Sequence, residues 1–152
     1  MVGTGTTEIF ITFLLAITGY TGLTTVVVLT LREQHPIALW RAVVLIILAH
    51  VLMVWMYRYD WQLDLAVRNG YAGFVIFHTA LALILVSTFV NQYLSQKLVH
   101  ISFVIVTIGA TGASLRYDEV SMYRFIVVPC GLIGGIGLIK FYILDRRNLN
   151  KI

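Results

Sequence analysis

The sequence predicts an all-α fold: an integral membrane bundle of five transmembrane helices, or four if the segment at 97–115 does not span. Three observations lead there. Of its 152 residues, 59% are hydrophobic and 12% charged, and the mean hydropathy is +0.89. A soluble domain of this size has too little interior to hide so much apolar surface. The apolar residues also fall into five runs near the ~20 residues that a spanning helix needs. Finally, the Lys and Arg residues gather at the ends of those runs, where basic residues set topology. The net charge of +4 is therefore no sign of a nucleic-acid partner.

The five runs form one domain over residues 1–152. The opening, "MVGTGTTEIF", has no Lys or Arg and no small-residue cleavage site, so it reads as mature sequence rather than a secretory signal. The first span is expected at 9–31. The second, at 37–57, has Pro36 before its first turn, where a proline is tolerated. The third is expected at 71–93. The linker before it, "RYDWQLDLAVRNG", is the longest and has room for one amphipathic turn with Trp61, Leu65 and Val67 at the lipid interface. The fourth and fifth are expected at 97–115 and 124–144. Short connections make sequential helices antiparallel neighbours. Small residues at "GYTG", "GATG" and "GLIGGIG" suggest close helix approach, with Gly131 and Gly135 forming a GxxxG pair.

Let face B be the side of the N-terminus and face A the other side. Face A collects Arg32, Arg41, Lys97, Lys140, Arg146, Arg147 and Lys151, and face B collects Arg58, Arg68, Arg116 and Arg124. The basic excess makes face A cytoplasmic, with the N-terminus outside and the C-terminus inside. A bacterial or archaeal cytoplasmic membrane is the expected location. The acids Glu8, Asp60, Asp64, Asp118 and Glu119 lie on face B, as an acidic rim able to dock a basic partner such as a soluble cytochrome, or simply as solvated loops.

The chemistry-bearing residues are the four histidines. His50 lies in "VLIILAHVLMVW" and His78 in "GFVIFHTALALIL". From the expected spans, both lie roughly 4–6 Å off the midplane toward face B. Two histidines at one depth on adjacent helices is the geometry that clamps a b-type haem. His100 and His35 lie toward face A, with depths that differ by roughly 9 Å. His35 and His50 are fifteen residues apart on the second helix, about 60° apart around it, whereas Arg41 points about 180° from His50. Arg41, His100 and Lys140 come out at similar depth, as a ring for haem propionates, a quinone headgroup or an anionic lipid. The plain alternatives are snorkelling for Arg41 and Lys140 and interhelical hydrogen bonding for the histidines. The aromatic cluster at residues 55–61 fits an interfacial belt at face B.

Several chemistries are disfavoured. A single cysteine, Cys130, excludes an internal disulfide and a cysteine-ligated cluster. The expected spans hold no Asp or Glu, which argues against a proton pump or cation transporter. No catalytic Ser-His-Asp grouping or nucleotide-binding glycine loop is recognisable.

Four histidines over neighbouring helices, two toward each face, resemble small transmembrane b-type cytochromes with two haems. A looser likeness to membrane proteins of haem–copper oxidase assembly rests on "REQHPIALW", "GFVIFHTALALIL" and "SQKLVHISF", over residues 32–112. Unlike the di-haem cytochromes, the face-B pair here lies on consecutive helices, and the face-A pair is poorly matched in depth. The resemblance implies a membrane electron-transfer subunit with haem b between His50 and His78. It also implies a second haem or a quinone near His100 and His35, and a quinone or redox subunit as partner. The competing expectation is a non-redox accessory, assembly or pigment-binding subunit of a respiratory or photosynthetic complex. Lipid and larger membrane subunits are expected partners under either.

Overall fold

The computed structural model describes residues 6–68 and 70–145. Among these the regular structure is helical, and no strand occurs. Five long helices run α1 (Thr6–Leu31), α2 (Ile37–Met53), α4 (Tyr71–Ser87), α5 (Gln92–Arg116) and α6 (Arg124–Ile139). A single turn, α3 (Leu63–Val67), sits in the long linker, where the sequence suggested one. Two helices end in wider π-helical turns: Val54–Arg58 continues α2, and Lys140–Asp145 continues α6.

Four of these stretches are long and apolar enough to cross a membrane: Thr7–Leu31, Ile37–Arg58, Gln92–Arg116 and Val120–Ile143. The short one is not the segment that the sequence left in doubt. The run expected at 97–115 begins at Gln92 and forms a 25-residue helix, whereas the run expected at 71–93 stops at Ser87 after 17 residues. The cause is local chemistry in "VSTFVNQYL". The Ser87 and Thr88 hydroxyls donate to the carbonyls of Ile84 and Leu85, and Thr88 closes the helix. The Asn91 side chain then accepts from the Leu94 backbone N–H at 3.0 Å and starts α5. Such a cap satisfies an otherwise orphaned helix donor.

α1 is the centre of the bundle and packs on α2, α6 and α5, while α5 also packs on α4 and α6. Leu23, Val26 and Val27 of α1 meet Val43 of α2, Ile84 of α4 and Val99 and Phe103 of α5 in one buried cluster. The expectation that α2 and α4 would be close neighbours fails over most of their length. α2 lies mainly on α1 and α4 mainly on α5, with slight direct contact between them. Outward faces carry exposed apolar side chains such as Leu45, Val104, Ile108, Leu132 and Ile136. In a bundle with spanning helices these are lipid-facing positions.

Glycines set the helix spacing, though not through the expected pair. A Cβ on Gly22 would lie 2.6 Å from Val43 Cγ2, and one on Gly134 would enter the Phe103 ring. Gly131 likewise faces Thr107 and Gly137 faces Leu31, but Gly135 has open space. The close contacts thus follow a three-residue spacing, Gly131, Gly134 and Gly137, rather than the GxxxG pair.

Candidate functional site

A histidine buried in a bilayer must place two ring nitrogens, because hydrocarbon offers no partner to either. The geometry gives each intramembrane histidine a different solution. His100 is the most buried, 3% exposed, and lies in the ninth position of α5 because that helix starts at Gln92. It is therefore deeper than the sequence suggested. Its Nε2 is 2.8 Å from Thr30 Oγ1 on α1, and its Nδ1 is 2.9 Å from the Tyr142 hydroxyl in the π-turn after α6. Thr30 spends its single proton on the Val27 carbonyl at 2.8 Å. That fixes the polarity: the ring Nε2–H donates to Thr30, and Nδ1 accepts from Tyr142. Gln96 adds a bond from Nε2 to the Thr30 carbonyl at 3.1 Å. One imidazole thus links α1, α5 and α6.

His78 is closed in the same sense. Its Nδ1–H donates to the Phe74 carbonyl one turn back, at 2.8 Å, and its Nε2 accepts from the Trp55 indole at 3.2 Å. Phe74 stacks on the ring with centroids 4.0 Å apart. Trp55 is the hub of the face-B aromatic cluster, against Tyr59, Trp61, Phe74 and His78. It stands in the π-turn that extends α2. The partners of both closed histidines, Trp55 and Tyr142, therefore come from π-helical turns, which recur at functional positions in helices.

His50 is the exception. Its Nδ1–H donates to the Thr12 carbonyl of α1 at 2.9 Å, and Nε2 has no hydrogen bond among the described residues. His50 and His78 take different partners: one bonds α1, and the other bonds its own helix and Trp55. An axial clamp needs one free nitrogen from each ring. His78 and His100 have none in this arrangement, so the residues do not fit two-histidine ligation of a haem. His50 alone has the form of a ligand, since a metal-binding histidine usually donates its other N–H to a carbonyl. Neither His50 nor His78 lines either of the two cavities described below.

The face-A ring does not form either. His100 lies in the core, whereas Arg41 and Lys140 are exposed, as snorkelling side chains are. His35 is exposed at the α1–α2 turn and lines a small cavity of about 60 Å³ with Thr30, Trp40, Ser95 and Gln96. Thr30 thus stands between the two face-A histidines. A second cavity, about 410 Å³, lies beside His100 and Tyr142. Arg146, Arg147 and Lys151 lie outside the described residues. No group of three or more metal-ligating side chains occurs among the described residues.

No family model, no curated protein and no solved structure matches this chain.

That geometry also names partners that the sequence reading missed: Thr12, Thr30, Trp55 and Tyr142. Depth along the helices gives no signal for them: Thr30 lies one residue from the end of α1, whereas His100 lies eight residues inside α5.

Proposed function

We propose that the chain is a non-redox accessory subunit of a larger membrane complex, a helical scaffold whose buried histidines tie its helices together. The single observation that carries this reading is that His78 and His100 each commit both ring nitrogens to protein partners. Bonds of this kind are favourable in lipid, where the alternative is an unpaired polar group. The broad apolar outer face supports the same reading. A respiratory or photosynthetic complex is the class of assembly proposed. The test is a native gel of the full-length chain from its own membrane in mild detergent. Migration far above its 17.1 kDa, in a stable assembly, is expected. Migration as a lone chain under conditions that preserve other complexes contradicts the reading.

One observation favours a second reading. The Nδ1–H of His50 is held by a backbone carbonyl while its Nε2 is free, which suits a single axial bond to a haem or another macrocycle between this chain and a partner. Under that reading, His50→Ala removes the pigment absorption, and His78→Leu leaves it intact.

A further inference from the structure

The cavity of about 410 Å³ is a groove on the lipid side of the α5–α6 contact. It is lined by Lys97, Ile101, Val104 and Ile105 of α5 and by Leu138 and Tyr142 at the end of α6, with His100 beneath. The α5 residues lie on one helix face, spaced at three and four positions, and extend about 12 Å along the axis from Lys97 to Ile105. The α6 residues are one turn apart on the facing side. Ile101 and Val104 are 49% and 44% exposed, so the groove opens outward rather than into the core. Its volume falls in the range of about 300–1,000 Å³ typical of small-molecule sites.

The charge at its end selects the occupant. Among the described residues Lys97 is the only charged one lining the groove, and its ammonium lies 4.1 Å from the centroid of the Tyr93 ring, at the level of the helix start. The same end of the bundle carries Arg32, Arg41 and Lys140 against Glu33 and Asp145. An ammonium at the interface followed by about two turns of aliphatic wall matches a molecule with an anionic head and a hydrocarbon tail. A neutral quinone ring would want free hydrogen-bond donors. The His100 Nε2–H, however, is taken by Thr30, and the Tyr142 hydroxyl proton by His100.

We propose that this groove binds an anionic phospholipid, with its phosphate on Lys97 and one acyl chain along Ile101, Val104, Ile105 and Leu138. The site goes beyond the scaffold role and does not depend on it.

The test is native mass spectrometry of the intact chain released from detergent with equal amounts of phosphatidylglycerol and phosphatidylcholine of the same acyl length. Wild type should retain the anionic lipid about fivefold over the zwitterionic one, the scale expected for one basic residue near the membrane surface. Lys97→Gln should abolish that preference. Arg32→Gln, on the same face but outside the groove, should keep it. Val104→Trp, which narrows the groove, should lower retention of both lipids while helical content is unchanged. Equal retention of the two lipids by wild type overturns the proposal. So does an equal loss in Lys97→Gln and Arg32→Gln, which would mean diffuse attraction. Displacement of the phospholipid by an added isoprenoid quinone would assign the groove to the quinone instead.

Discussion

Thr30 at the end of α1 and His100 in α5 meet at 2.8 Å, Oγ1 to Nε2, although they are seventy positions apart in the chain. The contact has a fixed direction because the Thr30 proton is already on the Val27 carbonyl. It places a neutral, doubly bonded imidazole where α1, α5 and α6 converge, with Tyr142 closing the other nitrogen.

Removing this imidazole should loosen the bundle. Interhelical hydrogen bonds in membranes average about 0.6 kcal/mol and reach about 1.7. His100→Leu deletes two, so a loss of about 1–3 kcal/mol is expected from unfolding in detergent. Tyr142→Phe deletes one and should cost about half as much. A double-mutant cycle should show coupling between the two positions; strict additivity would mean that the bond contributes nothing.

At face B the Trp55 indole supplies the second partner of His78. Trp55→Phe keeps an aromatic ring but removes the donor and part of the ring packed on Tyr59, Trp61 and Phe74, so about 1 kcal/mol or more of stability should be lost. Nitrogen NMR of the histidine ring should show a proton on Nδ1 in both proteins, with a shifted Nε2 in the variant. An unshifted Nε2 would mean that the indole bond is not formed.

Helix spacing gives a prediction independent of the histidines. Gly134→Ala drives a methyl group into Phe103, and Gly22→Ala does the same to Val43. Overpacking of this kind costs about 1–3 kcal/mol. Gly135→Ala meets open space and should stay within about 0.5 kcal/mol of wild type. Comparable losses at Gly134 and Gly135 would restore the GxxxG pair as the packing contact.

The antiparallel order of the helices places Glu33 and Thr88 on one face and Asp118 on the other. Cysteines at these positions, in a chain with Cys130→Ser, should label with a membrane-impermeant maleimide from opposite sides of sealed vesicles. Labelling of Thr88→Cys from the side opposite Glu33→Cys, with Asp118→Cys on the Glu33 side, would mean that α4 does not cross.

The helical membrane fold was legible because hydropathy reports it directly. The end of α4 was legible in principle: Ser87, Thr88 and Asn91 are a stop and a cap written in sequence, but an apolar run counted by hydropathy passes over them. Helix adjacency was legible in part: α1–α2, α4–α5 and α5–α6 pack as the short connections predict, but α2 and α4 hardly touch. The rule that neighbours in sequence are neighbours in space put His50 opposite His78, whereas Gly22 against Val43 and Gly109 against Phe77 draw α2 to α1 and α4 to α5. The two π-turns carry no recognisable sequence signal, and they deliver Trp55 and Tyr142. Matched histidine depth alone therefore could not separate a ligand pair from two hydrogen-bonded residues.

On the proposed reading the deeply placed histidines are structural partners rather than a haem clamp. The most direct measurement is an oxidised and dithionite-reduced absorption spectrum of the purified, folded chain with its natural partners, combined with a pyridine haemochrome assay. No haem that is lost with His78→Leu or His100→Leu is expected. A stoichiometric b-type haem abolished both by His50→Ala and by His78→Leu would contradict it.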